Sequence, residues 1–179
     1  MTKSTYKDAK NKKAVREFIF SHYAYNKIVG LAGPDINDYI TWCKSKGYSD
    51  IEIWEQDPVV MMKQLSEVKT GVSFKYGNIL NASVSSRGVV YDLDYCATIK
   101  YMGEHLKKFK ETKFVMTFAL RYSEKETIKK FFRDRGEAIV SFKQVKSPLL
   151  HTRYVTNNGT YLYAKYRDTT PMCVFSKIK

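Results

Sequence analysis

Two successive stretches of this chain follow one grammar, and that grammar narrows the fold more than any other feature. "KIVGLAG" reads as a short buried strand running into a glycine turn, and "PDINDYITWCKSKG" as a helix with Pro34 at its start and Gly47 at its end. The next unit repeats the pattern: "SDIEIWEQ" predicts a strand and "DPVVMMKQLSEVK" a helix opened by Asp57 and Pro58. "TGVSFKYGNI" and "RGVVYDLD" supply a third and a fourth strand, and residues 97–110 an amphipathic helix. "TKFVMTFAL" follows as a fifth strand, then "SEKETIKKFFRDRG" as a helix with Ser123 as cap and Glu126 completing the capping box. Strands alternating with helices of about 10–15 residues imply βαβ units and a parallel sheet covered on both faces.

The two ends differ from this middle. "AVREFIFSHYAY" carries apolar residues at helical intervals, which predicts a leading helix, behind a polar basic start, that packs on the domain. At the other end, "GEAIVSFKQV", "GTYLYAKYRD" and "PMCVFSKI" are strand-like runs without a helix between them, and "NNG" and "DTTP" supply turn chemistry. The expected architecture is therefore α/β, a parallel sheet finished by an antiparallel edge. The expected organisation is a basic tail and leading helix over residues 1–24, followed by a single domain over residues 25–179.

Composition excludes several classes. With 44% hydrophobic residues in a chain of 179, a well-filled core is affordable and disorder is not expected. Cys43, Cys96 and Cys173 are odd in number and lack metal-ligand spacing, so neither a disulfide framework nor a metal site is expected. No stretch approaches the ~20 apolar residues that span a bilayer, and the start lacks the apolar core of a signal peptide, which points to the cytoplasm. The charge of +13 is one-sided: residues 1–99 carry 13 cationic and 11 acidic side chains, residues 100–179 carry 18 and 7. Such a field attracts polyanions, so nucleic acid is the expected partner and a membrane is not. The compact, basic composition, rich in tyrosine and lysine, would suit a phage or mobile element.

An open doubly wound sheet binds ligands outside the carboxyl ends of its strands. Those ends read Gly30, Ala32 and Gly33 after strand one, Glu55 to Asp57 after strand two, Asn78 after strand three, and Asp92 to Asp94 after strand four. A glycine turn lets backbone approach a ligand, a carboxylate accepts from both ribose hydroxyls, and an amide meets the edge of an adenine. Asp57, just before Pro58, also reads as a helix cap. Carboxylates beside a buried strand are costly unless paired or solvated, which singles out Asp92 and Asp94.

The arrangement resembles the class I S-adenosylmethionine-dependent methyltransferases over residues 25–179, including the antiparallel finish. The resemblance implies a doubly wound, mostly parallel seven-stranded sheet with an antiparallel C-terminal edge. It implies S-adenosylmethionine as cofactor, held by Gly30, Ala32, Gly33, Glu55, Asn78 and Asp92, with Asp57 as second choice for the ribose. "DLDYCATI" is similar to the segment beside the methyl donor, which makes Asp92, Asp94 and Tyr95 the catalytic candidates. Lys107, Lys108, Lys129, Lys130, Arg133 and Arg153 are the expected contacts to a nucleic-acid backbone. "VGLAGPDI" departs from the family: Gly30 stands about where an acid is usual, and Ala32 replaces a glycine. The alternative is therefore an inactive protein of this fold that binds nucleic acid, or a protein partner, through its basic surface. G-x-G-x-x-G is absent, against a dinucleotide dehydrogenase, and His22, His105 and His151 suggest no catalytic triad.

Overall fold

The computed structural model describes residues 6–33, 35–68, 70–98, 103–119, 124–146, 150–167 and 172–179. The first elements along the chain are α1 (Tyr6–Phe20), β1 (Lys27–Gly30), α2 (Ile36–Ser45), β2 (Asp50–Glu55), α3 (Pro58–Glu67), β3 (Ser73–Tyr76) and β4 (Val89–Thr98). After them come α4 (Gly103–Phe109), β5 (Lys113–Ala119), α5 (Glu124–Arg133), β6 (Ile139–Lys146), β7 (Leu150–Thr156), β8 (Gly159–Arg167) and β9 (Met172–Lys177). They divide into two compact units, one of Ala24–Tyr95 with Gly103–Phe114, the other of Met1–Tyr23, Cys96–Met102 and Val115–Lys179.

The first unit holds the strands β3-β2-β1-β4 in that order, each neighbouring pair parallel. Ile28, Val29, Ile51 and Ile53 are buried with no polar alternation in β1, as expected of parallel strands covered on both faces. Helix α2 buries Ile36, Ile40 and Cys43, spaced to share one face, and ends before Gly47, whose φ of +87° suits a residue without a Cβ. Helix α3 starts where Asp57 Oδ1 accepts from the backbone N–H of Val59 at 2.8 Å and of Val60 at 3.3 Å, with Pro58 inside the first turn. Asp57 is therefore a cap. Asp57→Ala is expected to cost about 1 kcal/mol, read as a lower urea midpoint at unchanged slope, and Asp57→Ser to recover most of it.

In the second unit the order is β5-β9-β8-β7-β6, with β6 to β9 paired antiparallel in sequence. Helix α1 packs on β8 and β9, burying Val15 and Ile19 one turn apart. The Tyr23 hydroxyl just beyond α1 donates to the Lys177 carbonyl at 2.7 Å. Phe132 of α5 meets Tyr161 at 5.0 Å and Tyr154 at 5.5 Å between ring centroids. The buried Glu137 carboxylate accepts from the Thr156 hydroxyl and the Tyr161 hydroxyl, both at 2.9 Å, which offsets its burial.

The α/β class with an antiparallel finish is as expected, but the described residues form nine strands where seven were implied. Residues 150–156 form β7, which its polar His151, Thr152 and Arg153 conceal in the sequence. Strand β4 also outruns its expected end at Asp94, because aromatic and β-branched residues carry it on to Thr98. Of the helix expected over residues 97–110, residues 97 and 98 belong to β4 and Gly103–Phe109 form α4, residues 99–102 lying outside the described residues, whereas α1 already begins at Tyr6. Ser123, the expected cap of α5, lies outside the described residues.

Candidate functional site

Strand β1 lies between β2 and β4, so the winding of the first unit reverses at the β1–β4 pair. The crevice outside the carboxyl ends at such a reversal is where open sheets take ligands. Gly30, the last residue of β1, stands opposite Asp92 of β4, and the Leu31 N–H donates to the Asp92 carbonyl at 3.1 Å. Asp92 therefore lies level with the end of β1 but inside β4, not beyond the end of its own strand. Its side chain is 0% exposed, and the Tyr39 hydroxyl from α2 donates to Asp92 Oδ2 at 3.0 Å. A Cβ on Gly30 would run into Tyr39 Oη and come within 3.1 Å of both Asp92 Cβ and the Asp92 carbonyl. Gly30 is thus glycine to make room for a hydroxyl that satisfies a buried carboxylate. Asp94, two residues on and half-buried, faces the same side of β4 by strand alternation. Tyr95 lies in β4, and its side chain falls outside the described ones.

Past β1 the chain turns through Ala32 and Gly33, both half-buried. Gly33 has φ of +67°, and a Cβ there would meet no atom within 4 Å, so the turn is open where a ligand backbone contact would form. Gln64 of α3 steadies it from below: fully buried, it donates through Nε2 to the Gly33 carbonyl at 2.7 Å. Gln64 Oε1 is buried and has no hydrogen-bond partner among the described residues.

Glu55 and Asn78 are brought together. The Gly77 N–H donates to the Glu55 carbonyl at 2.9 Å, which draws the segment after β3 alongside the end of β2. One carboxylate oxygen of Glu55 accepts from the Asp57 N–H at 2.9 Å, and the other has no partner among the described residues. Asn78 Oδ1 accepts from the Leu80 N–H at 2.9 Å, opening a 3-10 turn over Ile79–Asn81 and leaving its amide N–H groups to donate elsewhere. The half-buried Glu55 carboxylate suits the diol of a ribose, and the exposed Asn78 amide suits the edge of an adenine.

The basic candidates divide. In the first unit Lys107 is exposed, whereas Lys108 is half-buried and donates to the Leu80 carbonyl, tying α4 to the turn behind Asn78. In the second unit Lys129 pairs with Glu126 at 3.2 Å, Lys130 pairs with Asp134, and Arg133 is exposed. Arg153 sits on β7 opposite Lys143. Among the described residues no group of His, Cys, Asp and Glu could hold a metal ion, and no helix is long and apolar enough to cross a membrane.

Sequence reasoning missed Tyr39 and Gln64. Tyr39 gave no signal, since its partner lies 53 residues away. Nor did Gln64, which stands between Lys63 and Leu65 in the polar second half of its helix yet is buried, while Val59 and Met62 of the same helix turn outward, 76% and 68% exposed.

No protein-family model matches the sequence, and no curated protein matches it. Solved structures do. One provisionally assigned as an RNA methyltransferase of Pyrococcus horikoshii shares 14% identity at a TM-score of 0.55, over 96% of this chain and 85% of its own. TYW2 of M. jannaschii, in complex with AdoMet, shares 12% at a TM-score of 0.55, over 99% and 77%. A protein provisionally assigned as a tRNA methyltransferase of Streptococcus pneumoniae, in complex with S-adenosyl-L-methionine, shares 12% at 0.50, over 90% and 71%. The chain has the class I methyltransferase fold that its strand-end residues led one to expect.

Proposed function

We propose that the chain is an S-adenosylmethionine-dependent methyltransferase acting on nucleic acid. The observation that carries this reading is the position of Glu55 at the carboxyl end of β2 and of Asn78 just past the end of β3, where the Gly77 N–H bonds the Glu55 carbonyl, within a fold shared with structures that hold that cofactor. Glu55 accepts from the ribose hydroxyls, and Asn78 donates to the adenine. Gly30 at the end of β1 and the Ala32–Gly33 turn beyond it face the amino-acid end, with Gln64 fixing the turn's height.

The cofactor supplies a methyl group on a sulfonium, transferred by in-line displacement, so that positioning provides most of the rate. On the protein's side, Asp94 orients an exocyclic amine of the substrate or takes its proton. Asp92, held by Tyr39, fixes the floor beneath it. Tyr95 follows in the same strand. Each unit offers cations to a phosphate backbone, Lys107 in the first and Lys129, Lys130, Arg133 and Arg153 in the second, and Lys108 acts through the turn it anchors. Two of the neighbours described above are assigned to RNA or tRNA, which supports RNA as the first polymer to test.

Methyl-tritiated S-adenosylmethionine, incubated with the chain and total RNA, is expected to yield acid-precipitable label that ribonuclease releases. Label confined to protein, or none from a chain that binds the cofactor, would contradict the substrate class. A second reading, a domain of this fold that binds nucleic acid without methylating it, draws on Tyr39, whose hydroxyl fills the space beside Gly30.

A further inference from the structure

We propose that the open edge of the second unit, strand β6 with its neighbour β7, is a binding surface for single-stranded nucleic acid, with Phe142 as its stacking platform. This rests on the reading that the polymer is nucleic acid, and it names the surface that takes it.

Strand β6 ends the strand order, so one side of its backbone has no strand partner among the described residues. Long edges with exposed apolar side chains invite pairing and are usually blunted. Here residues 140–144 are all exposed, with Val140 and Phe142 each at 71%. Phe142 continues a row: it stands opposite Tyr154, which stands opposite Tyr161. The two tyrosines are buried against Phe132, whereas Phe142 has no ring contact among the described residues. The outermost ring of an aromatic row is thus left bare.

The charges on the same hairpin are unbalanced. Lys143 and Arg153 are directly opposed across the ladder, and like charges so placed are destabilising. Arg153 Nε is buried with no acceptor among the described residues. Residues 139–156 contain Lys143, Lys146 and Arg153 but no Asp or Glu. An anion would relieve the repulsion and satisfy the guanidinium. A second copy of the chain, pairing edge to edge, would bring the same cations together and is disfavoured. Among polyanions, one with flat bases uses an exposed ring as well as the cations. Consecutive strand residues point to opposite faces, so Phe142 lies on one face and Lys143 with Arg153 on the other. The ligand must wrap the edge, which a flexible single strand does and a duplex, with a persistence length of about 50 nm, does not.

Fluorescence anisotropy with a labelled RNA of about 12 nucleotides, on the full chain at fixed salt, tests this. Phe142→Ala is expected to weaken binding by roughly tenfold, and Phe142→Trp to retain it. Lys143→Ala is expected to flatten the dependence of log K on log salt by about 0.7. Phe142 is exposed, so its variants should melt with the wild type. Affinity unchanged in both alanine variants, no RNA binding at all, or equal displacement by polyglutamate would overturn the proposal. Cofactor binding, measured on the same proteins, separates the two readings. RNA bound through Phe142 without cofactor binding removes the enzyme and leaves the surface. Cofactor bound while Phe142→Ala is harmless does the reverse.

Discussion

Alanine at position 30 is expected to lower the stability of the chain by about 3 kcal/mol, measured as a fall in the urea midpoint. The added methyl group has nowhere to go: it would overlap Tyr39 Oη and press on the Asp92 carbonyl at 3.1 Å. Backbone in a paired strand cannot move aside, so the tyrosine must, and its movement takes a hydrogen bond from a carboxylate with 0% exposure. Hydrogen bonds to charged groups contribute about 1.5–3 kcal/mol, so Tyr39→Phe alone should cost an amount in that range. In Gly30→Ala with Tyr39→Ala the clash is gone, and the double variant should lose clearly less than the sum of the singles. Additive losses would mean that Gly30 and Tyr39 do not share this space in solution.

Glu55→Ala is expected to weaken S-adenosylmethionine binding by roughly 30-fold, because both ribose hydroxyls lose a charged acceptor. The same substitution should change stability little, since the carboxylate makes one local bond to the Asp57 N–H near the surface. Glu55→Gln keeps an acceptor oxygen without the charge and should fall between. Asp57→Ala provides the contrast: its carboxylate is used on Val59 and Val60, so stability falls while cofactor affinity stays near wild type. If Asp57→Ala loses the cofactor and Glu55→Ala does not, the ribose contact has been assigned to the wrong acid.

What could be read from the sequence was what is written locally. Helix α3 announces itself through Asp57 and Pro58, α2 through its apolar spacing and Gly47, β1 through its short apolar run and β2 through the alternation of Ile51 and Ile53 with acids. Glu55 and Asn78 could be placed because a strand end is a local event. Asp92 was legible as an anomaly, an acid in an apolar run, but its explanation was not, since Tyr39 reaches it only in the folded sheet. Phe142 shows the converse: "AIVSFKQV" has the composition of a strand, and whether its apolar residues are covered depends on which strand ends the sheet. The extension of β4 and the existence of β7 likewise depend on pairing partners distant in sequence.

The central claim is that this chain binds S-adenosylmethionine through the ends of β1, β2 and β3. Isothermal calorimetry of the wild-type protein with S-adenosylmethionine, run beside Glu55→Ala, tests it most directly. Binding in the micromolar range that is lost or strongly weakened in Glu55→Ala is the predicted result. A folded wild-type protein with no heat of binding at millimolar cofactor would contradict the account and leave a nucleic-acid-binding domain of methyltransferase fold.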